Sequence, residues 1–431
     1  MTELPFGEWP SPISAASLVR GAVGIGEVVP DGEDVWWAES RPSEGGRTAV
    51  MRWRAGRVEE ITPSDAYVRT LVHEYGGGAW WVHDGVLFYA DLADQRLRRL
   101  TPGGEPLLLT PVPERERGLR YADGRTTPDG RWYVCVRERH EGPGAETEAV
   151  NELVAVATDG SENVVSLWRG SDFVMSPRLS AAGDRLAWIA WDHPDMPWDS
   201  TELWTAEIGA EPRSGAVGER LVLVAARVVA GNGDEALCEP GWGPDGELYV
   251  VSDRHEWWNL HRVDGSELVA VVEGDFEVAT PPWVFGMQRW AIVGARTGDG
   301  AGDGTPVVVA GRSGGDTLVA GSRPIDTVDR TISSLHATPA GGLVVAGSGF
   351  GHETEVVRLA LADGSTSREV LRPARDLGLD PAFLTPPEPL SFPTGGAGDA
   401  RAHALLYRPA HPEHRGPADS RPPLMVLAHG G

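Results

Sequence analysis

A glycine-bearing turn followed by an apolar strand returns seven times along the chain. No other feature of the sequence limits the fold as strongly. The pattern reads Pro30-Asp31-Gly32 before Val35-Trp36-Trp37-Ala38, His83-Asp84-Gly85 before Val86-Leu87-Phe88-Tyr89, and Pro128-Asp129-Gly130 before Trp132-Tyr133-Val134-Cys135. It continues as Ala182-Gly183-Asp184 before Leu186-Ala187-Trp188-Ile189 and Pro244-Asp245-Gly246 before Leu248-Tyr249-Val250-Val251. The last two copies are a degenerate Gly286-Met287-Gln288 before Trp290-Ala291-Ile292-Val293, and Pro339-Ala340-Gly341 before Leu343-Val344-Val345. Glycine and proline set the backbone angles that tight turns need. The spacing, roughly 40–60 residues, is that of a four-stranded propeller blade with insertions. A second unit of strand, polar turn and strand follows most copies, as at 151–156 with Thr158-Asp159-Gly160, 260–263 with Asp264-Gly265, and 356–361 with Ala362-Asp363-Gly364. This reads as the outer hairpin of a blade. An array of β-sandwiches is the rival, but a near-regular sevenfold repeat favours a closed ring without exposed sheet edges. The sequence therefore predicts an all-β fold with a seven-bladed β-propeller over residues 21–385.

Composition agrees with many short strands, since 55 Gly and 34 Pro are spread over 431 residues. A hydrophobic share of 41% and a charged share of 23% are those of a globular chain large enough to bury a core without staples. The net charge is −25, and all 38 basic residues are Arg. Such an acidic chain lacks the basic surface that nucleic acid or an anionic membrane requires, so neither is an expected partner. Cys135 and Cys238 cannot form a disulfide framework and read as two buried thiols in a reducing compartment. The first residues, MTELPFGEWPSPISAASL, lack the basic and apolar regions of a secretory signal, and no run of 18 apolar residues occurs. A cytoplasmic location is expected; the oligomeric state is left open.

After residue 385 the pattern changes. Thr385-Pro386-Pro387-Glu388-Pro389 reads as a stiff linker, 402–407 as a strand and 411–423 as a Pro-rich loop. Leu424-Met425-Val426-Leu427-Ala428 reads as a strand buried on both faces. Such a strand needs neighbours, so 386–431 is expected to be the incomplete start of a second domain. Residues 1–20 are expected to pack on that domain.

The segment Pro422-Pro423-Leu424-Met425-Val426-Leu427-Ala428-His429-Gly430-Gly431 resembles the strand and oxyanion turn that open the catalytic domain of the prolyl oligopeptidase family of serine peptidases. Three further segments are similar to the dipeptidyl aminopeptidase and acylaminoacyl-peptidase branch. They are His73-Glu74-Tyr75-Gly76-Gly77-Gly78, Trp191-Asp192-His193-Pro194-Asp195-Met196-Pro197-Trp198-Asp199, and Ser252-Asp253-Arg254 with Trp257-Trp258-Asn259-Leu260. The resemblance spans essentially the whole chain. It implies a propeller followed by the first strands of an α/β-hydrolase domain. It implies an oxyanion hole at His429, Gly430 and Gly431, where a backbone N–H of Gly431 would stabilise the developing oxyanion and His429 would fix the turn. It also implies a nucleophilic Ser, then Asp and His, downstream of Gly431, so that these residues alone should be inactive. The expected activity of the whole enzyme is removal of N-terminal aminoacyl, dipeptidyl or acylaminoacyl units from short peptides, with no metal or organic cofactor. The expected partners are a short peptide and the hydrolase domain itself. The alternative is a stand-alone propeller that binds other proteins.

Other motifs point away from chemistry. Gly311-Arg312-Ser313-Gly314-Gly315 matches a nucleophile elbow in letters, but the residues that follow read as a strand where an elbow needs a helix. The twelve histidines form no metal-binding spacing, and Gly76-Gly77-Gly78 is not followed by a helix, as a phosphate loop would be. Aromatic rings beside carboxylates can hold a peptide's ammonium end and an apolar side chain. On that ground Glu74, Tyr75, Asp192, Asp195, Trp198 and Trp257 are the candidate substrate-binding residues.

Overall fold

The computed structural model describes residues 1–140, 148–212, 219–231, 233–294, 304–362, 365–395 and 400–428. They contain seven four-stranded antiparallel sheets, each with its strands in chain order. These are blades 1 to 7, spanning 24–60, 80–108, 119–168, 173–230, 237–272, 290–325 and 331–372. The only α-helix among the described residues is Ala15–Val19, so none is long and apolar enough to cross a membrane.

The repeated turns join the first and second strands of their blades. At Thr127–Asp129 the Asp129 carboxylate accepts from the Thr127 hydroxyl (2.6 Å) and from the Arg131 N–H (3.1 Å), while Gly130 takes φ +66°. The sixth copy is displaced. Gly286-Met287-Gln288 precedes the innermost strand of blade 6, Trp290–Val293, and the second strand is Thr305–Arg312. The innermost strand here is as apolar as a second strand, because blades cover it from both sides, so the pattern could not separate the two. Gly311 to Gly315 form the hairpin turn between Thr305–Arg312 and Gly315–Ala320, with Arg312 paired to Gly315 and Ser313 exposed.

Each pair of neighbouring blades encloses an apolar cluster. Trp36 and Val50 meet Val82, Leu87 and Tyr89 between blades 1 and 2, and Phe88 meets Tyr133 and Val154 between blades 2 and 3. Both thiols, Cys135 and Cys238, are free and lie in such clusters, where burial pushes them up. Blade 7 closes onto blade 1 through an apolar cluster: Val28, Val35, Trp37 and Met51 pack on Val344, Ala346, Val356 and Leu371. Polar ties reinforce this seam, from Val28 N–H to Ser334 Oγ (3.2 Å) and from Arg358 to the Glu33 carbonyl (2.9 Å). No strand is shared across it.

Beyond blade 7, Glu388–Pro393 pairs with Arg401–Leu406. Thr2–Glu3 runs parallel to His414–Arg415, and Trp9 and Phe383 both pack on the His411 ring. Leu424 to Leu427 do not form the expected strand: they are 76–88% exposed and extend without a partner among the described residues. A strand needs a neighbouring edge for its N–H and C=O groups, and none of the described sheets offers one here.

Candidate functional site

Blade topology gives the propeller two unlike faces. The innermost strand runs from one face to the other, so first-to-second and third-to-fourth turns share one side, the turn face. Second-to-third turns and the connectors between blades share the opposite loop face. The chain enters blade 1 at Gly24 and leaves blade 7 at Arg372 on the loop face. All three candidate segments lie there too: 73–78 in the connector to blade 2, 192–199 within blade 4 and 253–258 within blade 5.

The structure brings together two of the six candidate residues through a third that sequence reading missed. Trp283, in the connector to blade 6, lies 5.4 Å from the Tyr75 ring and 4.4 Å from the Trp198 ring. Tyr75 and Trp283 are 62% and 47% exposed, which makes an aromatic ledge open to solvent. Trp257 is exposed elsewhere on the same face. Beside Tyr75, between blades 1 and 2, a groove of about 390 Å³ is lined by Glu27, Tyr67, Arg69, Gly77 and Trp80.

The Asp192 and Glu74 carboxylates are engaged within the protein itself. Asp192 accepts from the Asp172 N–H (2.6 Å), and the Asp195 N–H closes the turn onto the Asp192 carbonyl (3.1 Å). Glu74 is paired with Arg120 (2.7 Å), which also holds Glu138 (2.9 Å). Glu74, Glu138 and His140 come within the spacing of a cation site, but the Arg120 guanidinium already supplies the positive charge there. The His73 ring packs against Phe173, Trp191 and Phe285 and contacts Asn151 Oδ1 (3.2 Å). Burial pushes it down to about 4, so it is a neutral packing residue.

Residues 73–78 also span the axis of the ring. His73, Glu74, Gly76, Gly77 and Gly78 all take left-handed backbone, and the strap reaches the connector of blade 6 on the far side. Phe285 N–H donates to the Gly76 carbonyl (2.9 Å), and Gly77 bridges Phe285. Gly78 ties in two more blades, its carbonyl accepting from Asp123 N–H (2.7 Å) and its own N–H donating to Glu27 (2.9 Å). A Cβ on Gly77 would lie 2.7 Å from the Phe285 nitrogen, so the close approach requires the glycine.

Beneath the strap the innermost strands carry left-handed Asp123, Ser176 and Glu239, each within a bulge. Burial pushes Glu239 up to about 7, against the pull of its bond from Arg289 N–H (2.7 Å) and the charges of Arg289 and Arg178. Its folded value exceeds its unfolded one, so its contribution is full below the ordinary glutamate range and is lost as pH rises through about 7. Across that window it weakens the fold by roughly 3 kcal/mol. Glu239→Gln is therefore expected to raise the melting temperature at pH 8 and to change it little at pH 5. Equal shifts at both pH values would count against an ionisable, buried Glu239.

His429, Gly430 and Gly431 lie outside the described residues. No family model and no curated protein matches the chain. Solved structures do. A puromycin-hydrolyzing peptidase of Mycobacterium tuberculosis is 32% identical with TM-score 0.83, over 98% of this chain and 64% of its own. A puromycin hydrolase is 32% identical with TM-score 0.86, over 100% of this chain and 65% of its own. Prolyl oligopeptidase B of Galerina marginata, 11% identical with TM-score 0.62 over 90% of this chain, shares the fold. The chain thus spans somewhat less than two thirds of these two hydrolases.

Proposed function

We infer that this chain is the propeller portion of a prolyl oligopeptidase family enzyme and that it gates a serine peptidase acting on short peptides. The observation that supports this best is the loop face. It carries both chain connections, the aromatic ledge, the groove beside Tyr75 and exposed Val328 and Phe350. Exposed apolar surface of this kind marks a contact with another structure. The occupant we propose is a hydrolase portion, corresponding to the length the similar structures have beyond the matched part.

In this reading the triad resides in that portion, with a Ser attacking the scissile carbonyl, His moving the proton and Asp orienting the His. His429, Gly430 and Gly431 form its oxyanion turn. The loop face roofs the site and excludes bulky folded substrates, and the ledge of Tyr75, Trp283 and Trp198 takes apolar side chains. Asp195 and Trp257 are the remaining candidate contacts. The leaving unit is aminoacyl, dipeptidyl or acylaminoacyl.

The test compares residues 1–431 with a chain extended by the coding sequence downstream, using aminoacyl, dipeptidyl and acylaminoacyl reporter amides and puromycin. We expect turnover only from the extended chain, unchanged by Ser313→Ala. Turnover by residues 1–431 that Ser313→Ala abolishes would overturn the reading. An extended chain inert to all four substrates would favour a protein-binding propeller.

A further inference from the structure

On the turn face the channel widens into a cavity of about 470 Å³, lined by residues of blades 2 to 7. Arg125, Arg178 and His336 converge on it from blades 3, 4 and 7, with Trp81, Trp242 and Gln288 completing the wall. The Arg125 guanidinium lies over the Trp81 ring at 3.8 Å. Its Nη1 donates to Asp123 Oδ1 (3.3 Å) and the Gly124 carbonyl (2.8 Å). Arg178 is 7% exposed, and its Nη1 donates to the same Asp123 Oδ1 (2.9 Å) and to the Pro177 carbonyl (2.9 Å). Its Nε and Nη2 have no acceptor among the described residues.

Two guanidinium groups therefore share one carboxylate oxygen in a largely buried setting. A buried cation that is not fully matched is costly, and a buried donor without an acceptor calls for an explanation. Two further buried carboxyl groups, Glu27 and Glu239, are both pushed up by burial, Glu239 to about 7, and so are held toward their neutral forms rather than supplying the missing charge in full. Burial and then the neighbouring Arg178 push Arg125 down to about 10, against the pull of Asp123, as expected for two buried cations that share one counter-ion. The surroundings suit an anion with an apolar remainder, since Trp81, Trp242 and Trp290 line the same cavity.

We propose that this cavity is a binding site for a small oxyanion, a carboxylate or phosphate group, seated between Arg125 and Arg178 with its remainder against Trp81 and Trp242. Planar guanidinium groups match such anions through paired N–H donors. The anion can be a free one, or the terminal carboxylate of a short peptide. The site faces away from the loop face and does not depend on the peptidase reading.

Titration calorimetry of the full chain at low ionic strength tests this, with inorganic phosphate and N-acetyl-glycylglycine as separate probes. Saturable binding of at least one probe at up to millimolar concentration is expected, with a rise in melting temperature. Binding of phosphate alone identifies a free anion as ligand, and binding of the blocked peptide identifies a peptide carboxylate. Arg125→Gln and Arg178→Gln should each weaken binding about tenfold or more. Arg178 also holds Asp123, so loss of fold is a risk in that variant. Gln288→Glu leaves the Asp123 cluster untouched: it gives up the Nε2–H bond to the Trp290 carbonyl (2.7 Å) but places a negative charge on the cavity wall, and should likewise weaken binding about tenfold with the circular dichroism unchanged. No binding of either probe, or binding that Arg125→Gln and Gln288→Glu leave intact, overturns the proposal.

Discussion

Gly77→Ala is expected to destabilise the propeller by about 3 kcal/mol or more, although the change adds one methyl group. Two effects add. Gly77 sits at φ +89°, where a Cβ costs about 1–2 kcal/mol. The added Cβ would also meet the backbone of Phe285, which cannot rotate away as a side chain could. Gly32→Ala is the control, because Gly32 has φ +61° with nothing within 4 Å of its Cβ position. It should lose only the conformational part. Thermal and urea unfolding of both variants decides the matter, and equal losses would mean that the crossing of the axis contributes nothing.

Asp123→Leu should cost about 3–5 kcal/mol, the range for removing one partner of a buried ion pair. Asp123 is fully buried, and its departure leaves Arg125 and Arg178 facing each other. Burial alone would raise its carboxyl, but Arg178 and Arg125 outweigh burial and hold it below the ordinary aspartate range. Its contribution is thus complete above the unfolded value and is lost as pH falls through the folded one. Asp123→Asn keeps the left-handed backbone within reach and should lose less. Its deficit relative to the wild type should shrink in strong acid. A deficit that stays constant with pH would show that packing, not charge, dominates at this position.

The ring was legible because its turns demand particular residues. Gly at the turn, joined by Asp in five copies and followed by an apolar strand, marks six of the seven blades in the correct place. The sixth copy failed because two neighbouring strands were equally apolar. The site was legible only in part. Tyr75 and Trp198 were singled out, but Trp283 joins them from another blade, and no local pattern reports a contact between segments so far apart. The Pro281-Pro282-Trp283 run in a long connector was the available hint. Gly76-Gly77-Gly78 lacks the helix of a phosphate loop, and nothing local in the sequence reports that it crosses the ring axis to Phe285. The bulged Asp123, Ser176 and Glu239 carry no signature in sequence, because left-handed Ser and Glu are imposed by neighbouring blades.

The seam between blades 7 and 1 differs from the other six blade contacts in its polymer physics. Those six join surfaces already tethered by the connectors between successive blades, the longest running from 61 to 79, which keep each pair at high effective concentration. The seventh joins the two ends of a loop of several hundred residues, and its closure entropy is the largest in the ring. With no shared strand to stitch it, the seam can part while every sheet stays whole. Thermal motion that opens this propeller therefore turns the ring into a C-shaped arc, with its gap beside the points where the polypeptide comes and goes.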